Sequence, residues 1–193
     1  MCIRDSDQYY AFLGKAIGWS VEQARRSGGV AFGDLYTTWY EAPGDPVHIH
    51  EATHQIFANR LFLGGGGSWF QEGVAEFMSS TENERGEAAH AVKKGKHVPL
   101  SKFVTLESLI FSNPTSERDS SDDTAGNQYK QAALFIEFLN KSKFGKGKFL
   151  AAIDAFGAAP RNNVGAIQAA AQRVYGTDIA GLEKQFGEYC KKR

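Results

Sequence analysis

Residues 46–63 read Pro-Val-His-Ile-His-Glu-Ala-Thr-His-Gln-Ile-Phe-Ala-Asn-Arg-Leu-Phe-Leu, and the spacing of their histidines governs the reading of the chain. Pro46 suits a first helical turn, where its missing N–H has no partner to lose. The stretch ends at Gly64–Gly67, four glycines that cannot continue a helix and predict a hinge or tight loop. On a helix, positions i and i+4 lie about 40° apart, so His50 and His54 share one face, one turn apart. Two imidazoles so placed can bind one zinc ion. Glu51 is turned about 100° away, where its carboxylate can act as general base on a water at the metal. The alternative is a helix whose histidines satisfy local hydrogen bonds. Val47, Phe57, Ala58 and Leu61 share the half of the helix that carries both histidines, and that face is expected to be buried. Unpaired imidazoles would be costly there.

A catalytic zinc commonly takes three protein ligands and leaves one position for water. Residues 68–77, Ser-Trp-Phe-Gln-Glu-Gly-Val-Ala-Glu-Phe, offer two carboxylates. Glu72 and Glu76 again stand at i and i+4. One can ligate while the other accepts the N–H of a ligating histidine and fixes its tautomer. Trp69, Phe70, Val74 and Phe77 favour a largely buried helix over a solvated one. Ser68 is the expected N-cap, with Gln71 at the capping-box position.

These motifs together resemble the gluzincins, the clan that contains thermolysin and the aminopeptidase N family. There the second segment typically reads Trp-Leu-Asn-Glu-Gly-Phe-Ala and its glutamate is the third ligand, which maps onto Glu72. Seventeen residues separate His54 from Glu72, one fewer than usual in that clan, a difference the glycine run can absorb. The resemblance implies that Glu76 orients a zinc histidine. Downstream, residues 128–135, Gln-Tyr-Lys-Gln-Ala-Ala-Leu-Phe, are similar to the Tyr-x-Lys-Gly-x-x-Leu stretch of the aminopeptidase N family. There the tyrosine supports the oxyanion, a role that maps onto Tyr129; a helix tyrosine with a buried ring and a wet hydroxyl is the other reading. No Gly-x-Met-Glu-Asn segment is present, so aminopeptidase activity is not implied. The overall likeness is to peptidase-MA-like bacterial proteins, short gluzincins many of which are exported. It spans roughly residues 30–190, although its specific motifs occupy three short segments.

Working outward, residues 9–26 read as one helix and residues 30–40 as one strand or two short ones. Residues 43–46, Pro-Gly-Asp-Pro, read as a turn. Helices are expected over about 46–63, 68–80, 125–141, 146–156, 164–175 and 178–191, while residues 81–100 give no clear pattern. The fold class is therefore α+β, a small strand region followed by a mostly helical remainder; the resemblance implies a thermolysin-like gluzincin catalytic core, with the small sheet over the His50–His54 helix. Length 193 and 42% hydrophobic residues suit a single catalytic domain.

Lys+Arg and Asp+Glu are both 22, so no basic surface for nucleic acid is implied. Lys93–Lys96 reads as a solvated loop and residues 116–123 as an exposed acidic loop. His48, His90 and His97 lack metal spacing, and Asp119, Asp122 and Asp123 lack the pattern of a calcium loop. Cys2 and Cys190 form no disulfide framework, and no apolar run is long enough to span a membrane. Residues 1–6, Met-Cys-Ile-Arg-Asp-Ser, resemble a translated adapter scar. The natural N-terminus is thus expected upstream, which favours an exported protein. The activity implied is zinc-assisted hydrolysis of a peptide or protein substrate. A zinc-containing scaffold without efficient turnover, or hydrolysis of a non-peptide amide or ester, are the alternatives.

Overall fold

The computed structural model describes residues 3, 5–33, 35–39, 46–109 and 128–193, which fall into two compact units, Met1–Leu61 and Phe62–Arg193. The first unit starts with α1, Ser6–Ile17, whose Asp5 cap accepts a hydrogen bond from the Gln8 N–H at 2.8 Å. The expected single helix over 9–26 is two. Gly18 turns left-handed at φ 74°, and Ser20 and Gln23 then form a capping box that starts α2, Val21–Ala24. Tyr9, Leu13 and Ala24 form the buried centre of this unit, with Phe12, Ile17, Trp19, Val30 and Trp39 packed around them.

The strand region is a hairpin of β1, Gly29–Phe32, and β2, Leu35–Thr38, in antiparallel register from Gly29↔Thr38 to Phe32↔Leu35. Helix α3, Pro46–Asn59, packs on both strands. Gln55 donates to Gly33 O (3.1 Å) and Leu35 O (2.8 Å), and Asn59 donates to Gly33 O (2.9 Å). The C-terminal half of α3 is thereby stitched to the turn end of the hairpin. The sheet therefore lies on the histidine helix as expected, although it has only two strands among the described residues. The expected buried stripe on α3 is partly absent: Ala58 is exposed and Leu61 is 49% exposed, and Thr53 is the helix's one buried residue.

The second unit is helical. Helix α4, Ser68–Ser79, crosses α7, Gln128–Lys141, and buries Trp69, Phe70, Val74 and Ala75. They pass closely at Gly73, where a methyl group would sit 3.0 Å from the Ile136 side chain and 3.1 Å from Ala132 O. Helix α7 is buried over most of its surface from Ala132 to Leu139, the pattern of a central helix. Around it lie α5 (Glu82–Lys93), α6 (Leu100–Phe103), α8 (Phe149–Gly157), α9 (Val164–Tyr175) and α10 (Ile179–Lys192). Residues 81–100, unclear from pattern, hold α5 behind a Thr81–Glu84 capping box. Its polar surface hid it, because only Arg85, Ala88, Ala89 and Val92 turn inward. The predicted start of α7 at 125 and the acidic loop at 116–123 lie outside the described residues.

Gly64–Gly67 is pinned in place, and Ser68 does not cap α4. Gly65 N–H donates to Gly157 O (2.8 Å), Gly66 N–H donates to Ala159 O (2.7 Å), and Arg161 donates to Gly64 O (2.9 Å). The N-cap is Gly67, and Gln71 is buried with its amide donating to Leu63 O and Gly65 O instead of closing a capping box. A Cβ on Gly65 would meet Ala159 O at 2.1 Å, whereas one on Gly64 would meet nothing within 4 Å. Gly65→Ala is therefore expected to cost about 1–3 kcal/mol in urea unfolding, as overpacking does. Gly64→Ala should stay within about 0.5 kcal/mol of wild type.

Cys190 on α10 is fully buried, and burial pushes its thiol up to about 12 against the lowering pull of Arg193 and Lys93. In the unfolded chain a thiol ionises near about 8.5. Above that pH the unfolded state has released a proton that the folded state still holds, so stability falls as pH rises toward 12. Cys190→Ala should flatten the decline between about pH 8.5 and 10, before tyrosines titrate. Native protein should leave Cys190 unreactive to a thiol reagent until it unfolds.

Candidate metal centre

In the first unit, α3 places His50 and His54 on one face, both half-buried. Their Nε2 atoms approach to 3.2 Å, with ring centroids 4.9 Å apart and planes at 75°. A tetrahedral zinc with Zn–N of about 2.0–2.1 Å holds two ligand nitrogens about 3.3 Å apart. The pair thus has the separation that zinc demands. The same separation suits an N–H···N bond between two neutral rings, so both descriptions of the helix share one geometry.

Glu51 leaves α3 toward β1. A Cβ built on Gly29 would lie 2.7 Å from Glu51 Cγ and 2.8 Å from a methyl of Val47, while one on Gly28 would meet only Val47, at 3.2 Å. Strand β1 rests directly on the stem of Glu51 because residue 29 has no side chain. Tyr9 lies within electrostatic reach of this carboxylate. Burial pushes its hydroxyl up to about 12, a hydrogen bond with Ser27 pulls it down, and the Glu51 charge adds to the rise. Tyr9 and Ser27 are linked at 3.0 Å, and Ser27 donates to Gly29 O at 2.5 Å, so a short polar chain runs from the core to the glycine under Glu51. Gly29 escaped the sequence reading, where it falls between the helix expected over residues 9–26 and the strand region from residue 30. No pattern within a single chain marks which glycine carries a neighbour's side chain.

His48 is not part of the pair. It points to β2, where its Nδ1 shares a 2.9 Å hydrogen bond with the hydroxyl of Tyr36.

In the second unit, α4 carries Glu72 and Glu76 half-buried, one turn apart, between the buried Gln71, Gly73, Val74 and Ala75. Tyr129 is half-buried in the first turn of α7, next to Lys130, which pairs with Glu87 at 2.5 Å. His97 is taken up elsewhere: its Nε2 meets Glu183 at 3.0 Å, and the other Glu183 oxygen accepts the Leu100 N–H. His90 is exposed on α5. The three aspartates 119, 122 and 123 lie outside the described residues.

Gly29→Ala forces Glu51 and Val47 to move, so it should destabilise the chain by about 1–3 kcal/mol. Gly28→Ala, with one looser contact, should cost less than Gly29→Ala in the same denaturation series. Equal cost at the two positions would show that Glu51 does not press on the strand.

No family model, curated protein or solved structure matches this chain.

Proposed function

We propose that this chain is a zinc-dependent hydrolase, a metallopeptidase on a thermolysin-like gluzincin core, with His50, His54 and Glu72 as the zinc ligands. One observation carries the reading. His50 and His54 present Nε2 atoms 3.2 Å apart on one helical face, with a glutamate set between them in sequence. On this reading Glu72 would complete a two-histidine, one-glutamate set of the kind that holds catalytic zinc, as the resemblance of residues 68–77 to the gluzincin segment implies. The bound ion supplies Lewis-acid polarisation of the scissile carbonyl and acidifies the attacking water.

The chain's own residues do the rest. A Glu51 carboxylate oxygen takes the proton of the attacking water and delivers it to the leaving amine nitrogen. The tight seat against Gly29 limits where the Glu51 stem can go. Glu76 accepts the ring N–H of a ligating histidine and fixes its tautomer. The Tyr129 hydroxyl donates to the oxygen on which negative charge develops. An extended peptide adds as a further strand at an edge of the β1–β2 hairpin. No helix of the described residues is long and apolar enough to cross a membrane, so this reading calls for no spanning segment.

The purified chain should hold about one zinc by elemental analysis, lost in His50→Ala and His54→Ala and strongly weakened in Glu72→Ala. Glu76→Ala should weaken affinity by only about 10–100-fold. Stoichiometric zinc in the double histidine variant would remove the metal assignment. Retention in Glu72→Ala with loss in Glu76→Ala would exchange the two glutamates.

Glu51→Gln keeps shape and volume and removes the basic oxygen, so zinc content and thermal stability should stay near wild type. Hydrolysis of a peptide-library substrate should fall about 10²–10⁴-fold. Tyr129→Phe should lower kcat by about 10²–10³-fold with little change in KM. Full zinc with no turnover across a diverse library would instead indicate a metal-holding scaffold.

A further inference from the structure

Although the chain is neutral overall, residues 141–193 hold ten lysines and arginines against four acidic residues. A cavity of about 280 Å³ lies in this basic stretch, between the C-terminal end of α7, the segment that follows it, and α10. Aromatic rings form much of its wall. Phe138 and Phe144 stack at 5.7 Å with planes at 8°, and Tyr189 packs against Phe138 at 5.7 Å. The Tyr189 hydroxyl is occupied, donating to the buried Glu137 at 2.6 Å, so the tyrosine contributes its ring to the cavity.

Charge at the rim is unequally satisfied. Lys141 holds its ammonium over the Phe77 ring, 5.8 Å from its centroid. Glu188, the one acid in the lining, pairs with Lys191 at 2.9 Å. The Lys191 hydrogen bond, then its charge with those of Lys192 and Lys184, holds that carboxyl below its usual range. Lys143 and Lys192 are exposed and make no hydrogen bond or ion pair with any described residue. An apolar wall whose mouth carries two ammoniums with no hydrogen bond or close ion pair among the described residues matches a ligand with an apolar body and one anionic end.

We propose that this cavity binds a planar aromatic carboxylate of one or two rings. The ring lies against Phe144 and Tyr189, where aromatic burial is favourable, and the carboxylate lies between Lys143 and Lys192. The volume lies just below the range of ligand sites, which run from about 300 Å³ upward, and so suits a body of one or two rings. Inorganic phosphate is a poorer match, since it has no apolar surface and the lining offers no arginine fork. None of the proposed zinc ligands lines the cavity, so this inference stands or falls separately from the hydrolase reading.

The test uses the full chain and three probes, 2-naphthoate, its neutral isostere 2-naphthamide, and inorganic phosphate, titrated calorimetrically at low salt. For a body of about a dozen heavy atoms, naphthoate is expected to bind with Kd of about 1 mM or tighter. The amide and phosphate should each be at least about tenfold weaker, since both lack half of the match. The double variant Lys143→Gln/Lys192→Gln changes only exposed side chains and should bring naphthoate down to the affinity of the amide. Mass-spectrometric acetylation should show naphthoate protecting Lys143 and Lys192 but not the exposed Lys102 on α6. Equal binding of acid and amide, phosphate binding as tight as naphthoate, or unchanged affinity in the double variant would each overturn the proposal.

Discussion

Gly65 has no room for a methyl group, and the arrangement of the second unit depends on that. Its N–H reaches Gly157 O while Gly66 reaches Ala159 O, so the chain entering α4 is fastened to the end of α8 by two backbone hydrogen bonds. Those bonds are of ordinary length; glycine is required because a Cβ on residue 65 would lie 2.1 Å from Ala159 O. With the entry fixed, Gln71 adds two more bonds from inside the first turn of α4. Trp69 and Phe70 are then committed to the core, and Glu72, two residues on, stays half-buried. Gly73 repeats the device one helix further along, letting α4 and α7 cross at near backbone contact.

The first unit uses the same constraint once, under Glu51. Gly29 lets a strand lie on a helix with a glutamate stem between them. On either side the stitching is polar, with Gln55 and Asn59 on the hairpin turn and Tyr9 linked to Ser27 and on to Gly29 O. These bonds fix the orientation of α3 about its own axis, and that orientation decides which way His50, Glu51 and His54 point.

Burial of charge supplies the other organising term. Glu137 is 2% exposed on α7 and accepts from Arg85 at 2.6 Å, from Tyr189 at 2.6 Å and from Arg193. A carboxylate so deep is tolerable only with its lone pairs filled by charged and neutral donors. The cluster ties α5, α7 and α10 together, and removing one partner would leave uncompensated charge inside the protein. Burial and this hydrogen bond also hold the Tyr189 hydroxyl well above its usual range. No sequence pattern announces it, since Arg85 and Glu137 are 52 residues apart and each reads alone as surface charge.

What the sequence determined by itself is local: helices α3, α4, α9 and α10 to within a few residues, strand structure over residues 30–40 (though not its pairing into a hairpin), and the shared face of His50 and His54. Those follow from periodicities and caps that act within a turn or two, such as Asn163 and Asp178 at the starts of α9 and α10. The break at Gly18 and the helix at 82–93 were obscured because a helical period can run across a capped interruption, and a helix with few inward residues has little period to show. Only the tertiary structure decided that the glycine run is a clamp, that Gly29 seats Glu51, and that His48 and His97 belong to Tyr36 and Glu183. The physical reason is common to all of these. Each depends on an atom brought from 12 to more than 90 residues away, where steric clearance and hydrogen-bond satisfaction, not local propensity, choose the conformation.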